Sequence, residues 1–451
     1  MNDPSQSAPH PRAGLHRMIS GFSQSVILRV LRLSLNVVVT GLLARHLGSA
    51  GFGALAASLA LVSLLYTLAE LGMNRVLVRE LLHSEADEAA LMGSSFYTRM
   101  VAGLVLFAGL VIYAGVFKPA EASLLLIYGL ALLTHAITDV IAWFEAERHM
   151  PEAAWCQFGG FALSVAAIVA GVLWRAPLWF FALTFIIECL AVATALLVRY
   201  HQLGGSWKTW RWSKTVSFRL LRESWYELAT QLTLLMLLRL DAVMVQALRG
   251  ETEAGFYSAA VRVSEVAYFL PVLLCGFMMP PLMDRKQKGS PDYANRIADY
   301  FGVTLAVTVP IAGLMVLASA PIISLLFGAG FRPAASMLVV HAWALIPYAL
   351  GIARTQYLTI EGRLSANVPA VIFALIINMG LNWLWIPVHG GLGAAWATLI
   401  AYSIAWVVST PIMPATRGLT SLTWQGILRL PRLLEDTLGR LRRPVSPLSE
   451  P

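Results

Sequence analysis

The chain contains twelve stretches of roughly 20 or more residues with hardly a charge, and this confines it to one class of fold. An apolar segment of that length matches the hydrocarbon thickness of a bilayer, and it can cross only as a helix, whose backbone hydrogen bonds are all internal. The runs lie at 22–44, 54–73, 96–117, 122–143, 153–174, 177–198, 224–247, 257–281, 300–327, 334–359, 366–387 and 391–413. A composition of 58% hydrophobic and 13% charged residues over 451 positions is far more apolar than a soluble core needs. The expected fold is therefore an all-α membrane protein of about 12 transmembrane helices. Met1 to Gly21 is polar and the first run carries Arg29 and Arg32, so the N-terminus does not read as a cleavable signal peptide. Cys156, Cys189 and Cys275 sit in apolar stretches without ligand or redox spacing, so no disulfide framework, metal site or cofactor is implied.

The formal charge of +8 would point to nucleic acid in a soluble protein, but here the basic residues gather in one set of loops. With the N-terminus in the cytoplasm, only Arg45, Lys118, Arg175, Arg249 and Arg332 fall in outside loops. Arg75, Arg79, Arg199, Lys208, Arg211, Lys214, Arg285, Lys286 and the tail arginines fall inside, so both termini are expected in the cytoplasm of a bacterial inner membrane. The expected organisation is a tail at 1–21, an N-lobe at 22–198, a basic linker at 199–222, a C-lobe at 223–413 and an amphipathic basic tail at 414–451. The linker mixes Trp207, Trp210 and Trp212 with cations, a composition suited to a headgroup surface rather than to nucleic acid.

An internal repeat supports two halves. Ala50-Gly51-Phe52-Gly53-Ala54 follows the first run, and about 204 residues later Ala254-Gly255-Phe256-Tyr257-Ser258 follows the seventh. His135 has a weaker echo in His341. Because six spans per repeat is an even number, the repeats share one orientation, which places a substrate path between pseudo-symmetric six-helix lobes.

Ionisable groups inside a span are costly and each calls for a partner or a wet cavity. At 100° per residue, Ser25, Arg29, Arg32, Asn36 and Thr40 form one polar stripe on the first helix. Two guanidiniums one turn apart offer forked donors suited to a diphosphate. The plain alternative is that Arg29 snorkels to the interface and Arg32 pairs with a carboxylate such as Glu188. Ser63, Tyr66, Thr67, Glu70 and Asn74 share a face of the second helix, as do Glu223, Glu227, Thr230, Gln231 and Asp241 on the seventh. Arg262 and Glu265 lie one turn apart, and Arg239 with Asp241 reads as a structural ion pair. His135 and Asp139, four apart, form a candidate proton-exchanging pair, with Glu188 a further coupling candidate.

No Gly-x-x-x-x-Gly-Lys-Ser/Thr loop, His-Glu-x-x-His pair or Gly-x-Ser-x-Gly elbow occurs. Outside loops of roughly ten residues leave no room for the external catalytic loop of a membrane polymerase or ligase, so an enzyme is disfavoured.

The run Ala44-Arg45-His46-Leu47-Gly48-Ser49-Ala50-Gly51-Phe52-Gly53, with Ala69-Glu70-Leu71-Gly72-Met73-Asn74-Arg75, resembles the opening signature of the oligosaccharide flippases that export O-antigen and exopolysaccharide units. Arg239-Leu240-Asp241 with Ala254-Gly255-Phe256-Tyr257 resembles the matching signature of the second half, and Leu326-Phe327-Gly328-Ala329-Gly330-Phe331 a third block. The resemblance implies a V-shaped transporter of two six-helix lobes that alternates between inward and outward openings. It implies translocation of an undecaprenyl-diphosphate-linked saccharide without ATP hydrolysis, with the bilayer and a polysaccharide polymerase or export machinery as partners. By that likeness Arg29, Arg32 and Arg262 face the diphosphate or acidic sugars. Fewer spans than the lipid II flippase branch sets the chain apart from it. The drug-exporting branch of the same superfamily is the alternative, because Glu70, Asp139 and Glu188 make the intramembrane charge mixed.

Overall fold

The structure is a computed structural model and describes residues 11–83, 87–117 and 119–442, with the side chains of residues 11–26, 29, 30 and 432–442 outside the description. Every regular element among these residues is helical. The chain divides into two compact units, Met1–Val243 and Met244–Pro451. The first contains α1 (Pro11–Glu70), α2 (Met73–Leu81), α3 (Glu88–Phe117), α4 (Ala122–Gly129), α5 (Ala131–Thr134), a 3₁₀ turn (His135–Asp139), α6 (Val140–Ala146), α7 (Met150–Leu173), α8 (Leu178–Gln202) and most of α9 (Lys214–Arg249). The second contains α10 (Glu251–Gln287), α11 (Tyr293–Leu317), α12 (Ser319–Phe327), α13 (Ala334–Trp343), α14 (Leu345–Ile360), α15 (Val368–Ser403), a π-turn (Ile404–Val408), α16 (Ser409–Ile412) and α17 (Arg417–Arg442).

Ten helical runs among the described residues are long and apolar enough to cross a membrane. Two of them, Leu31–Leu81 and Leu364–Ile412, have 51 and 49 residues, about twice what a bilayer requires. Each is broken near its middle by one non-helical glycine, Gly48 (φ 71°, ψ 178°) and Gly390 (φ 59°, ψ −142°).

Other expected runs are interrupted for local reasons. The fourth passes through α4, α5, the 3₁₀ turn and α6 instead of one helix. The tenth breaks at Ala344, where Pro347 lacks the N–H that the Trp343 carbonyl would have accepted. The ninth ends α11 at Leu317, four residues before Pro321, and resumes as α12. Lys214 to Arg222, read from sequence as linker, is the first part of α9. Trp210 of the linker packs against Phe96 and donates its indole N–H to the Tyr200 hydroxyl at 3.3 Å, whereas Trp207 and Trp212 are exposed.

Apolar burial assembles each unit. In the first, Met73, Leu77, Met92, Phe144, Leu196 and Leu220 form one core, and Leu55, Val62, Leu124, Tyr128 and Phe181 another. In the second, Leu282, Ile297, Tyr300, Phe301 and Leu419 gather α10, α11 and α17. The C-terminal α17 is docked closely enough that a Cβ on Gly302 would meet the Gly426 backbone at 2.6 Å.

The repeat extends to backbone conformation. Gly48 precedes the first Ala-Gly-Phe, and Gly250 (φ 85°, ψ 178°) precedes the second in the same conformation. Gly328 (φ 91°, ψ 172°) repeats it before Ala329-Gly330-Phe331. This region of backbone space is essentially open to glycine alone. Each half also buries a histidine against a tyrosine ring: His135 stacks on Tyr66 with centroids 4.1 Å apart, and His341 on Tyr268 at 6.0 Å.

A Cβ on Gly48 would meet no atom within 4 Å, so any penalty there is conformational. We expect Gly48→Ala to destabilise the protein by about 1–3 kcal/mol. Gly109→Ala, equally open but within α3, should be neutral or stabilising by up to about 1 kcal/mol. Thermal unfolding of both purified variants checks the pair; equal melting temperatures would contradict the role given to Gly48.

Candidate functional site

The break at Gly48 lets α1 present two segments to one space. Arg32 comes from before it; Ser63, Tyr66 and Glu70 come from after it. With Gln157 of α7 and Glu188 of α8 they line a cavity of about 330 Å³ inside the first unit. Apolar walls from Leu59, Val62 and Phe185 separate these polar groups, as expected for a site that holds an amphiphilic or partly desolvated solute.

Arg32 donates to Glu188 Oε1 at 2.5 Å, and its guanidinium lies 5.2 Å from the centre of the Phe161 ring. The Arg32 side chain remains 41% exposed against 16% for Glu188, so the cation faces the cavity and the carboxylate backs it. Asn36 accepts from Thr40 at 3.5 Å one turn along. The Arg29 side chain lies outside the described residues. Glu70 makes no hydrogen bond or ion pair among the described residues, although it lines the same cavity.

Behind the cavity lies a buried layer. Asp139, fully buried, accepts from Arg99, itself 3% exposed, and from the Ser95 hydroxyl at 2.8 Å. The expected His135–Asp139 pair is not formed. Residues 135–139 are a 3₁₀ turn, in which positions three apart eclipse and positions four apart diverge. His135 accordingly meets Thr138, with Nδ1 3.3 Å from Oγ1, and stacks on Tyr66, while its Nε2 is buried without a hydrogen bond.

Other expected site residues are dispersed. Asn74 lies on α2, beyond the Leu71-Gly72 turn that ends α1, and is therefore off the face of Ser63, Tyr66 and Glu70. Glu223 pairs with Arg79, and Glu227 with Arg75 at 3.2 Å; these bonds tie α9 to α2 instead of lining the cavity. Arg262 belongs to the second unit, 3.7 Å from Glu265. Arg239 is half-buried on α9, and Asp241, two residues on, is 2% exposed.

Two buried cations escaped the sequence reading, Arg99 and Arg354. Each lies inside a run counted as apolar, and the rule that an ionised group in a span needs a partner was the signal for both. Arg354 belongs to the second unit and forms no ion pair among the described residues; its Nη1 donates to the Ala405 carbonyl, Ser409 and Thr410.

The sequence profile of the polysaccharide biosynthesis protein family matches residues 20–278. No curated protein sequence matches the chain. Among solved structures, the fold is similar to lipid II flippase MurJ in its inward closed conformation, with 13% identity, 94% of this chain and 93% of that chain covered, and a TM-score of 0.71. It is also similar to an inward-facing multidrug resistance MATE family transporter of the MOP superfamily, with 12% identity, 86% and 95% covered, and a TM-score of 0.66. A MOP superfamily transporter from Pyrococcus furiosus, described as having a binding pocket of reverse polarity, matches at 12% identity over 88% and 96% with a TM-score of 0.54. At such identities these likenesses carry the fold alone.

The two ion pairs of the first unit should respond differently to mutation. Asp139→Asn leaves Arg99 charged and buried without its counter-ion and is expected to cost about 3–5 kcal/mol. Glu188→Gln frees an arginine that already faces open space and should cost under about 1 kcal/mol. Denaturation of the two purified variants tests the ranking; its reversal would place the structural burden on Arg32–Glu188.

Proposed function

Because the chain belongs to the polysaccharide biosynthesis protein family, we propose that it is an alternating-access flippase. Its substrate is an undecaprenyl-diphosphate-linked saccharide, carried from the cytoplasmic to the periplasmic leaflet of a bacterial inner membrane. The observation that carries this reading is Arg32, a permanently charged fork that faces the cavity of the first unit while held by Glu188. A diphosphate presents paired oxygens that can take the place of the carboxylate, so anion replaces anion and the guanidinium is never left bare. Phe161 beneath the guanidinium keeps its plane fixed during that exchange. Glu188, once released, joins Glu70 as a cavity carboxylate that forms no ion pair among the described residues, and either can take up a proton. His135 and Asp139, each bonded to other partners, are assigned to support of the cavity wall, and coupling is assigned to Glu188 and Glu70.

The same reading takes the two runs of about 50 residues as two spans each, divided at Gly48 and Gly390. That gives about twelve spans, which this reading assigns to six-helix lobes at 22–198 and 223–413, whereas the first compact unit also takes in most of α9.

A second reading, a cation-coupled drug exporter, is favoured by one observation. Among the described residues in and behind the cavity, two arginines, Arg32 and Arg99, face three carboxylates, Glu70, Asp139 and Glu188.

Cells lacking this protein and complemented with wild type or Arg32→Ala separate the readings. The flippase predicts that lipid-linked saccharide accumulates on the cytoplasmic face, that wild type clears it, and that Arg32→Ala lowers clearance by at least about ten-fold. Absence of accumulation together with raised sensitivity to cationic drugs would instead establish the exporter.

A further inference from the structure

Arg354 stands apart from the other intramembrane arginines whose partners are known. Arg32 has Glu188, Arg99 has Asp139 and Arg262 has Glu265. Arg354 is 1% exposed, and its hydrogen-bond partners among the described residues are all neutral. Its Nη1 donates to the Ala405 carbonyl at 3.1 Å, Ser409 Oγ at 2.5 Å and Thr410 Oγ1 at 3.1 Å. Its Nη2 has only the Met413 thioether at 3.2 Å, a weak acceptor. Its Nε is buried with no hydrogen-bond partner among the described residues. One edge of the guanidinium is thus spent on the protein, while the Nε/Nη2 edge, the one that binds an oxyanion in two parallel bonds, is left over.

The surroundings leave room for a ligand beside this edge. Arg354 lines a cavity of about 200 Å³ in the second unit, between α11, α14, the π-turn and α17. Thr420 lines the same cavity and its hydroxyl is likewise buried without a partner. The remaining wall is mostly apolar, including Phe301, Leu305 and Ile427. Val407 and Trp424 at its rim are 43% and 62% exposed, so the cavity can be entered from outside the fold. The π-turn beside Arg354 is a form of helix found often at functional sites. Depth fits as well: Arg354 precedes the end of α14 at Ile360 by six residues, or about 9 Å, and the side chain reaches Met413, just past α16, which ends the last apolar run. The guanidinium therefore sits near the level at which headgroups begin.

We propose that this cavity is a phosphate-binding site, in which the Nε/Nη2 edge of Arg354 and the Thr420 hydroxyl hold a phosphate group. An acyl-bearing phosphodiester from the bilayer would also fill the apolar wall, whereas free phosphate would engage the polar end alone. The site lies in the other unit from the Arg32 cavity and does not depend on what that cavity carries.

The test uses the full chain purified in a maltoside detergent, with native mass spectrometry counting bound molecules. The probes are dihexanoyl phosphatidylglycerol, its phosphate-free counterpart dihexanoylglycerol, and inorganic phosphate. Wild type should bind one phosphatidylglycerol, with Arg354→Met weakening it by at least about ten-fold and Thr420→Val by about three-fold. Dihexanoylglycerol should bind wild type and Arg354→Met alike and weakly. Displacement of the lipid by inorganic phosphate alone would assign the group to solution; its failure to displace would assign it to the bilayer, and both support the site. Equal phosphatidylglycerol binding by wild type and Arg354→Met, or dihexanoylglycerol binding as tightly as the phosphatidylglycerol, would overturn it. Should Arg354→Met fail to fold, Thr420→Val decides, because it leaves every Arg354 hydrogen bond in place; unchanged affinity there overturns the proposal.

Discussion

The buried pair between Arg99 and Asp139 is the interaction on which the first unit depends. An ionised group away from water must have a counter-ion or a cavity, and this pair joins α3 to the 3₁₀ turn at the least regular point of the unit. With the turn fixed, Thr138 and His135 are fixed, and His135 in turn supports the Tyr66 ring at the cavity wall. The cavity then has one rigid side. Its other side, Arg32 on Glu188, remains half-open to the space it lines. A charge pair that is sealed and one that is accessible thus sit within one helical unit, and only the second can exchange partners with a solute.

Glycine supplies the complementary freedom. The helix that carries Arg32 also carries Tyr66 and Glu70, and a straight helix would space them over more than 50 Å at about 1.5 Å per residue. Gly48 breaks it, in a conformation other residues do not adopt, and so brings both ends to one cavity. Gly250 stands in the same conformation at the equivalent place of the second half. In the second unit the break at Gly390 is held from outside: Glu253 Oε1 accepts the Gly391 N–H at 2.8 Å, and Arg249 donates to the Pro387 carbonyl at 3.2 Å. Polar groups freed by a helix break within an apolar run need such partners.

What could be read in the sequence follows from how local its cause is. Apolar runs are local, and the helical class with its long crossings was legible from them; so was Glu188 as a partner for Arg32, because few carboxylates lie within spans. The repeat of Ala-Gly-Phe was visible, but the reason for glycine a few residues earlier was not, since it is a backbone angle. The pairing of His135 with Asp139 failed because spacing was converted into geometry on the assumption of an α-helix, and the segment is a 3₁₀ turn. Arg99 and Arg354 were hidden by averaging: one cation hardly changes the hydropathy of a 25-residue window, yet it decides what that stretch must touch. Breaks at Ala344 and near Leu317 were marked by Pro347 and Pro321, which were present to be read.

The chain therefore handles charge in lipid in three ways, and they differ in what they permit. Arg99 is matched in charge by Asp139 and sealed, so it gives rigidity, although its Nε and Nη2 are buried without a hydrogen bond among the described residues. Arg32 is matched and open, so its counter-ion can be replaced by another anion at small net cost. Arg354 is buried at the wall of an open cavity and bonds only to neutral acceptors among the described residues, with part of its donor capacity unspent. The Ser409 and Thr410 hydroxyls and the Ala405 carbonyl orient the Arg354 cation but do not neutralise it, and the carbonyl dipoles at the end of the last span offset only part of a full charge. A site in that state gains more from an arriving anion than either of the other two, because nothing has to be displaced first.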